Sequence, residues 1–126
     1  MTEAKIPGPP RSLGTRGRAF WRELQADNEF DSASTAVLLE ACRVLDRLEE
    51  LDKVIAEAGV MSVGSTGQVV VHPAVSEARQ LQVTLTRLIA ALDLPLSEED
   101  ERAAERMRVS RAKRASAAAH GLRIVP

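Results

Sequence analysis

The sequence predicts a mostly α fold. It reads as an N-terminal arm and short helix, an antiparallel hairpin of long helices with a small β-hairpin between them, and a basic C-terminal helix. Three observations carry this reading. Aromatic residues make up only 2% of the chain, with one Trp, two Phe and no Tyr, so its apolar content is aliphatic and suits helices better than a β-sandwich. Apolar residues recur in alternating steps of three and four over two long stretches. Between those stretches lies a short valine-rich run punctuated by glycine. With 126 residues, 44% hydrophobic and 28% charged, the chain fits one globular domain with a modest core and argues against wholesale disorder. No apolar run approaches the roughly 18 residues that span a bilayer. The first residues lack the apolar stretch of a secretion signal. The expectation is a protein that is neither secreted nor a partner of membranes.

The elements follow in order. Pro7, Pro9 and Pro10 make residues 1–14 an extended, basic arm. A helix follows over 15–27, with Ala19, Phe20, Trp21 and Leu24 on its apolar side. All three aromatics, Phe20, Trp21 and Phe30, fall close together and serve as the anchor that docks this arm. The second helix starts at a Ser32 or Ser34 cap and ends at Gly59 in a left-handed conformation. Its seam is Val37, Ala41, Val44, Leu48, Leu51, Ile55 and Ala58, widened by Leu38, Leu45 and Val54. Val60–Val63 and Gln68–Val71 flank Gly64-Ser65-Thr66-Gly67 as a β-hairpin with a four-residue loop. Pro73 opens the third helix, which runs to about Leu92 through Ala78, Leu81, Leu85 and Leu88. Leu94-Pro95-Leu96 breaks the chain. Ser97 with Asp100 resembles a capping box, and acids at the start with bases at the end suit a fourth helix over 97–119. The organisation is an arm (1–14), a helical core and oligomerisation domain (15–95) and a basic C-terminal helix and tail (96–126).

The second helix carries more apolar surface than one partner helix covers. The surplus should face the N-terminal helix and another subunit, so the sequence predicts an oligomer. Its contact residues are Val37, Val44, Leu48, Leu51 and Ile55 with Leu81, Leu85 and Leu88.

Charge is segregated although the net figure is only -1. Residues 1–22 set Lys5, Arg11, Arg16, Arg18 and Arg22 against Glu3 alone. Residues 23–60 carry ten acids against Arg43, Arg47 and Lys53. From Arg106 to the end there is no acid. Basic ends around an acidic middle suit terminal segments that meet a polyanion. The candidate DNA-binding residues are Arg11, Arg16, Arg18 and Arg22, and Arg106, Arg108, Arg111, Lys113 and Arg114. Arg and Lys on phosphates give salt-dependent, sequence-tolerant binding.

For catalysis the chain offers little. His72 reads as a turn residue, His120 as a helix C-terminal residue and Cys42 as a small core residue. Two histidines and one cysteine make no zinc constellation, so no metal and no cofactor is expected. Gly14-Thr15-Arg16-Gly17 lacks the strand context of a phosphate loop, and Gly64-Ser65-Thr66-Gly67 lacks its lysine. The chain reads as a binding protein, not an enzyme.

An ordered set of short matches then becomes visible. Pro9-Pro10-Arg11-Ser12-Leu13-Gly14-Thr15-Arg16-Gly17-Arg18-Ala19-Phe20-Trp21 is followed by Leu38–Arg43, Asp46-Arg47-Leu48 and Gly59. Val71-His72-Pro73-Ala74 comes next with Glu77 and Arg79, then Arg87-Leu88 and Leu92-Asp93-Leu94. Over residues 8–95 this set resembles the phage terminase small subunit family, with Asp93 standing where that pattern has a glycine. The resemblance implies a non-enzymatic part of a DNA-packaging motor, active in the cytoplasm of the infected bacterial host. Its expected partners are double-stranded viral DNA at the packaging start, the large ATPase-nuclease subunit that it recruits and regulates, and further copies of itself in a ring. The alternative on the residues alone is a small helical DNA-binding regulator that works as a dimer, or a helical-hairpin module that binds protein only.

Overall fold

Proline at positions 7, 9 and 10 keeps the start of the chain out of a helix, and the computed structural model, which describes residues 6–121, has neither helix nor strand over residues 6–10. The first five residues of the predicted arm and the last five of the predicted tail lie outside the described residues. A turn at Arg11–Ser12, closed by the Leu13 amide donating to the Pro10 carbonyl at 3.2 Å, leads into α1, Thr15–Asp27. α2 spans Ser32–Ala58, β1 Met61–Val63, β2 Val69–Val71, α3 Pro73–Ala91 and α4 Glu98–Gly121. The chain divides into two compact units, with the break between Leu94 and Pro95.

Two apolar clusters hold the first unit. Leu13, Trp21, Leu38, Cys42 and Leu92 are buried together, with Phe20, Leu24, Phe30 and Val37 packed around them. Val44, Leu48 and Ala78 form the other, flanked by Leu51, Ile55, Leu81, Leu85 and Leu88. Leu92, at the end of α3, meets Leu38 and Cys42 from the first half of α2, so the two long helices run antiparallel. Leu38 and Leu45, beside the predicted seam, are more deeply buried than Val37 within it. The reason is that α2 is covered on two sides, by α1 as well as by α3. The surplus stripe thus meets the N-terminal helix, as expected.

Helix ends differ from expectation in three places, at the caps of α2 and α3 and in the backbone of Gly59, which is not the left-handed helical cap. Asp31, not Ser32 or Ser34, caps α2: its carboxylate accepts from the Ser34 amide at 2.7 Å. His72 is more than a turn residue, because its Nδ1 accepts from the Ala74 amide at 3.0 Å and caps α3. Gly59 ends α2 with φ 82° and ψ 168°, a region that is positive in φ but extended in ψ and open essentially to glycine alone. At the start of α4 the Ser97 hydroxyl accepts from the Asp100 amide at 3.1 Å and donates to that residue's carboxylate.

Asp93 sits at φ 49°. This left-handed conformation costs a side-chain-bearing residue about 1 kcal/mol relative to glycine. A glycine in the family pattern at this position therefore has a backbone reason. Asp93→Gly is expected to raise the unfolding midpoint by a few degrees in a thermal melt; no gain would mean that the aspartate side chain offsets the strain.

Candidate nucleic-acid interface

The N-terminal basic group is built around a carboxylate. Asp46, on α2, accepts from the Gly14 amide at 2.7 Å and from the Gly17 amide at 2.8 Å. Gly14 is the N-cap of α1 and has no side-chain cap of its own. Asp46 thus caps α1 from a neighbouring helix, where the macrodipole favours negative charge. Gly17 is required by close approach: a Cβ there would lie 2.5 Å from Asp46 Oδ2 and 2.8 Å from the Cys42 carbonyl. The glycine-containing turn does hold an anion through its amides, but that anion is the protein's own carboxylate.

This clamp fixes where the first four candidate arginines lie. The Arg18 guanidinium donates to the Arg11 carbonyl at 3.0 Å, which joins arm and helix. Arg22 follows Arg18 by one helical turn, so Arg11, Arg18 and Arg22 share one exposed side. Arg16 lies apart from them and faces Glu49 at 3.5 Å. The arm itself is pinned by Trp21, 4% exposed, whose Nε1 donates to the Pro7 carbonyl at 3.0 Å.

The second group lies on α4. Arg106, Lys113 and Arg114 border one face of the helix, and Arg111 and Arg108 follow around it. Its opening turn is Glu98, Glu99, Asp100 and Glu101. Two exposed ion pairs stay within the helix, Arg102 with Glu98 and Arg108 with Glu105; such pairs contribute little. Among the described residues no carboxylate lies within ion-pair distance of Arg106, Arg111, Lys113 or Arg114, and all four are exposed. An exposed helix with a basic side suits phosphate contact.

The predicted oligomerisation residues are split. Val44 and Leu48 are buried inside the α2–α3 core of a single chain, and Val37 packs against the cluster beneath α1. Leu51, Ile55, Leu81, Leu85 and Leu88 stay half-buried. Asp46, the residue that sets the geometry of the N-terminal group, escaped sequence reasoning. It lies about thirty residues from the amides that it holds, beyond any local signal. The only hint was its place among the family-like matches.

Cys42 is fully buried beside this clamp. Burial first, and then the Asp46 charge, push its thiol from 9.0 up to about 11. The folded state keeps the proton between those values while the unfolded chain loses it. Stability is therefore complete below pH 9 and declines from pH 9 toward 11, by on the order of 2 kcal/mol. Denaturant melts at pH 8 and 10.5, compared with those of Cys42→Ala, check this; equal slopes in the two proteins would refute it.

Among the described residues no group of three His, Cys, Asp or Glu side chains could hold a metal ion, and no helix is long and apolar enough to cross a membrane. Fold and surface together define a small helical protein whose candidate sites are basic surfaces borne on helices and an arm. The profile of the family described as phage terminase, small subunit, matches residues 18–116, and the chain belongs to that family. No curated protein and no solved structure matches. The match takes in most of α4, which the resemblance read over residues 8–95 does not reach, and leaves the arm outside. Membership gives the chain the role of a phage terminase small subunit.

Proposed function

We propose that this terminase small subunit assembles into a ring-shaped homo-oligomer, binds double-stranded viral DNA at the packaging start, and recruits and regulates the large ATPase-nuclease subunit without catalysis of its own. It does so in the cytoplasm of the infected host. The observation that carries the DNA assignment is the exposed basic side of α4, with Arg106, Arg108, Arg111, Lys113 and Arg114, inside the family match. Arg11, Arg18 and Arg22 form a smaller second contact, because Arg18 also holds the arm. Arg16 contributes least, being turned toward Glu49. The half-buried Leu51, Ile55, Leu81, Leu85 and Leu88 supply apolar surface for contact between subunits.

The test is the native mass of the purified protein without DNA at moderate salt, followed by titration with duplex DNA at several salt concentrations. A discrete assembly of many subunits is expected, with log affinity falling linearly with log salt. A dimer that binds DNA would replace this reading with the small helical regulator. Binding that is absent at every salt concentration would leave a protein-only module.

A further inference from the structure

The β-hairpin has an unusual surface for a chain that is 28% charged: residues 60–71 contain no charged residue at all. The Gly64 amide donates to the Gln68 carbonyl at 2.7 Å and the His72 amide to the Val60 carbonyl at 2.6 Å. With the antiparallel register Met61↔Val71, Ser62↔Val70 and Val63↔Val69, alternation makes 62·70 the bonded pair of the ladder. The amides and carbonyls of Met61 and Val63 therefore point outward from β1, and those of Val69 and Val71 outward from β2. The same four residues share one face of the sheet. They are 51%, 72%, 68% and 49% exposed. The hairpin thus presents two open edges of equal length and one apolar face on the order of 400 Å². Natural edge strands are guarded by lysine, proline or a bulge against pairing with another chain. Neither strand here carries any of these.

We propose that this hairpin is an interface between copies of the chain, with β1 of one subunit pairing on β2 of the next. The inference rests on the assembly proposed above and names the surface that sets its register. Neutral strands exclude a polyanion as the occupant, and a second copy supplies an equally neutral, apolar edge. Head-to-tail pairing uses both edges of every subunit, and in a closed ring leaves none free; a two-fold pairing would leave one open on each. The face is about half of the ~800 Å² per partner that a stable interface buries. The hairpin therefore selects register, and the half-buried helical leucines add area.

Hydrogen exchange of the full-length protein tests this directly. In the assembly the outward amides of Met61, Val63, Val69 and Val71 are expected to exchange about tenfold or more slowly than in Val63→Glu or Val69→Glu. Both substitutions fall on exposed side chains, so circular dichroism should stay unchanged while native mass falls below that of the assembly. Ser65→Glu, at the loop tip, adds the same charge off both edges and should leave the mass unchanged. An assembled protein whose four amides exchange freely, or whose mass survives both glutamates, overturns the pairing and leaves the ring intact. Protection that arises only on adding the large subunit assigns the edge to that partner and also overturns the proposal. A wild-type monomer removes the ring reading and the pairing with it.

Discussion

Asp46→Ala is expected to lower the unfolding midpoint of the helical unit by about 10–20 °C, from a loss of about 3 kcal/mol. The carboxylate accepts two backbone amides at 2.7 and 2.8 Å. A bond from an amide to a charged acceptor contributes about 1.5–3 kcal/mol, and the exposed Gly14 amide recovers part of its share from water. The Gly17 amide is half-buried and recovers less. Because the same side chain caps α1, its removal frees the helix start and with it Trp21, which is 4% exposed. Tryptophan emission should therefore shift to the red before the α2–α3 pair melts. Asp46→Asn keeps one acceptor oxygen and should lose about half as much. Gly17→Ala should resemble Asp46→Ala, because a methyl group 2.8 Å from the Cys42 carbonyl must push α1 off α2. Unchanged emission and midpoint in both Asp46→Ala and Gly17→Ala would show that α1 is held by its apolar contacts alone.

Replacing Arg106, Arg108, Arg111, Lys113 and Arg114 together by alanine should weaken duplex DNA binding by roughly a hundredfold to ten-thousandfold near 0.1 M salt. Each phosphate that the protein ceases to neutralise takes about 0.9 from the slope of log affinity on log salt, so the slope should flatten by up to about 4.5. Alanine is the best helix former, and α4 should persist in circular dichroism. The weakening should be similar across sequences, because bonds to phosphate carry no base information. The triple substitution of Arg11, Arg18 and Arg22 should cost less affinity, and Arg18→Ala should also loosen the arm held at the Arg11 carbonyl. An unchanged slope in the α4 variant would assign this helix to the large subunit, and a larger effect from the N-terminal set would move the DNA site there.

Much of the fold was legible because it rests on local rules. Proline at 7, 9 and 10, aliphatic spacing in α2 and α3, and glycine at 64 and 67 each act within a few residues, and the four helices and the hairpin lie where these place them. Caps were less legible. Serine at 32 and 34 offered plausible hydroxyls, but a carboxylate at 31 reached the Ser34 amide first. His72 as a cap needed the orientation of its ring, which periodicity does not carry. Among the candidate DNA residues, charge marked all nine, and sequence could not separate Arg16, turned to Glu49, from Arg11, Arg18 and Arg22 on another side.

By itself the sequence determined the helical class, the element order, the segregation of charge and the family-like pattern, because composition, periodicity and spacing are properties of neighbouring residues. Tertiary structure alone decided which apolar residues of α2 are spent inside one chain, that Asp46 fills the anion-holding turn at Gly14–Gly17, and that the hairpin leaves an apolar face and two edges open. Each of these depends on packing between segments remote in sequence, or on its absence, and on distances of a few tenths of an ångström that only the folded chain sets.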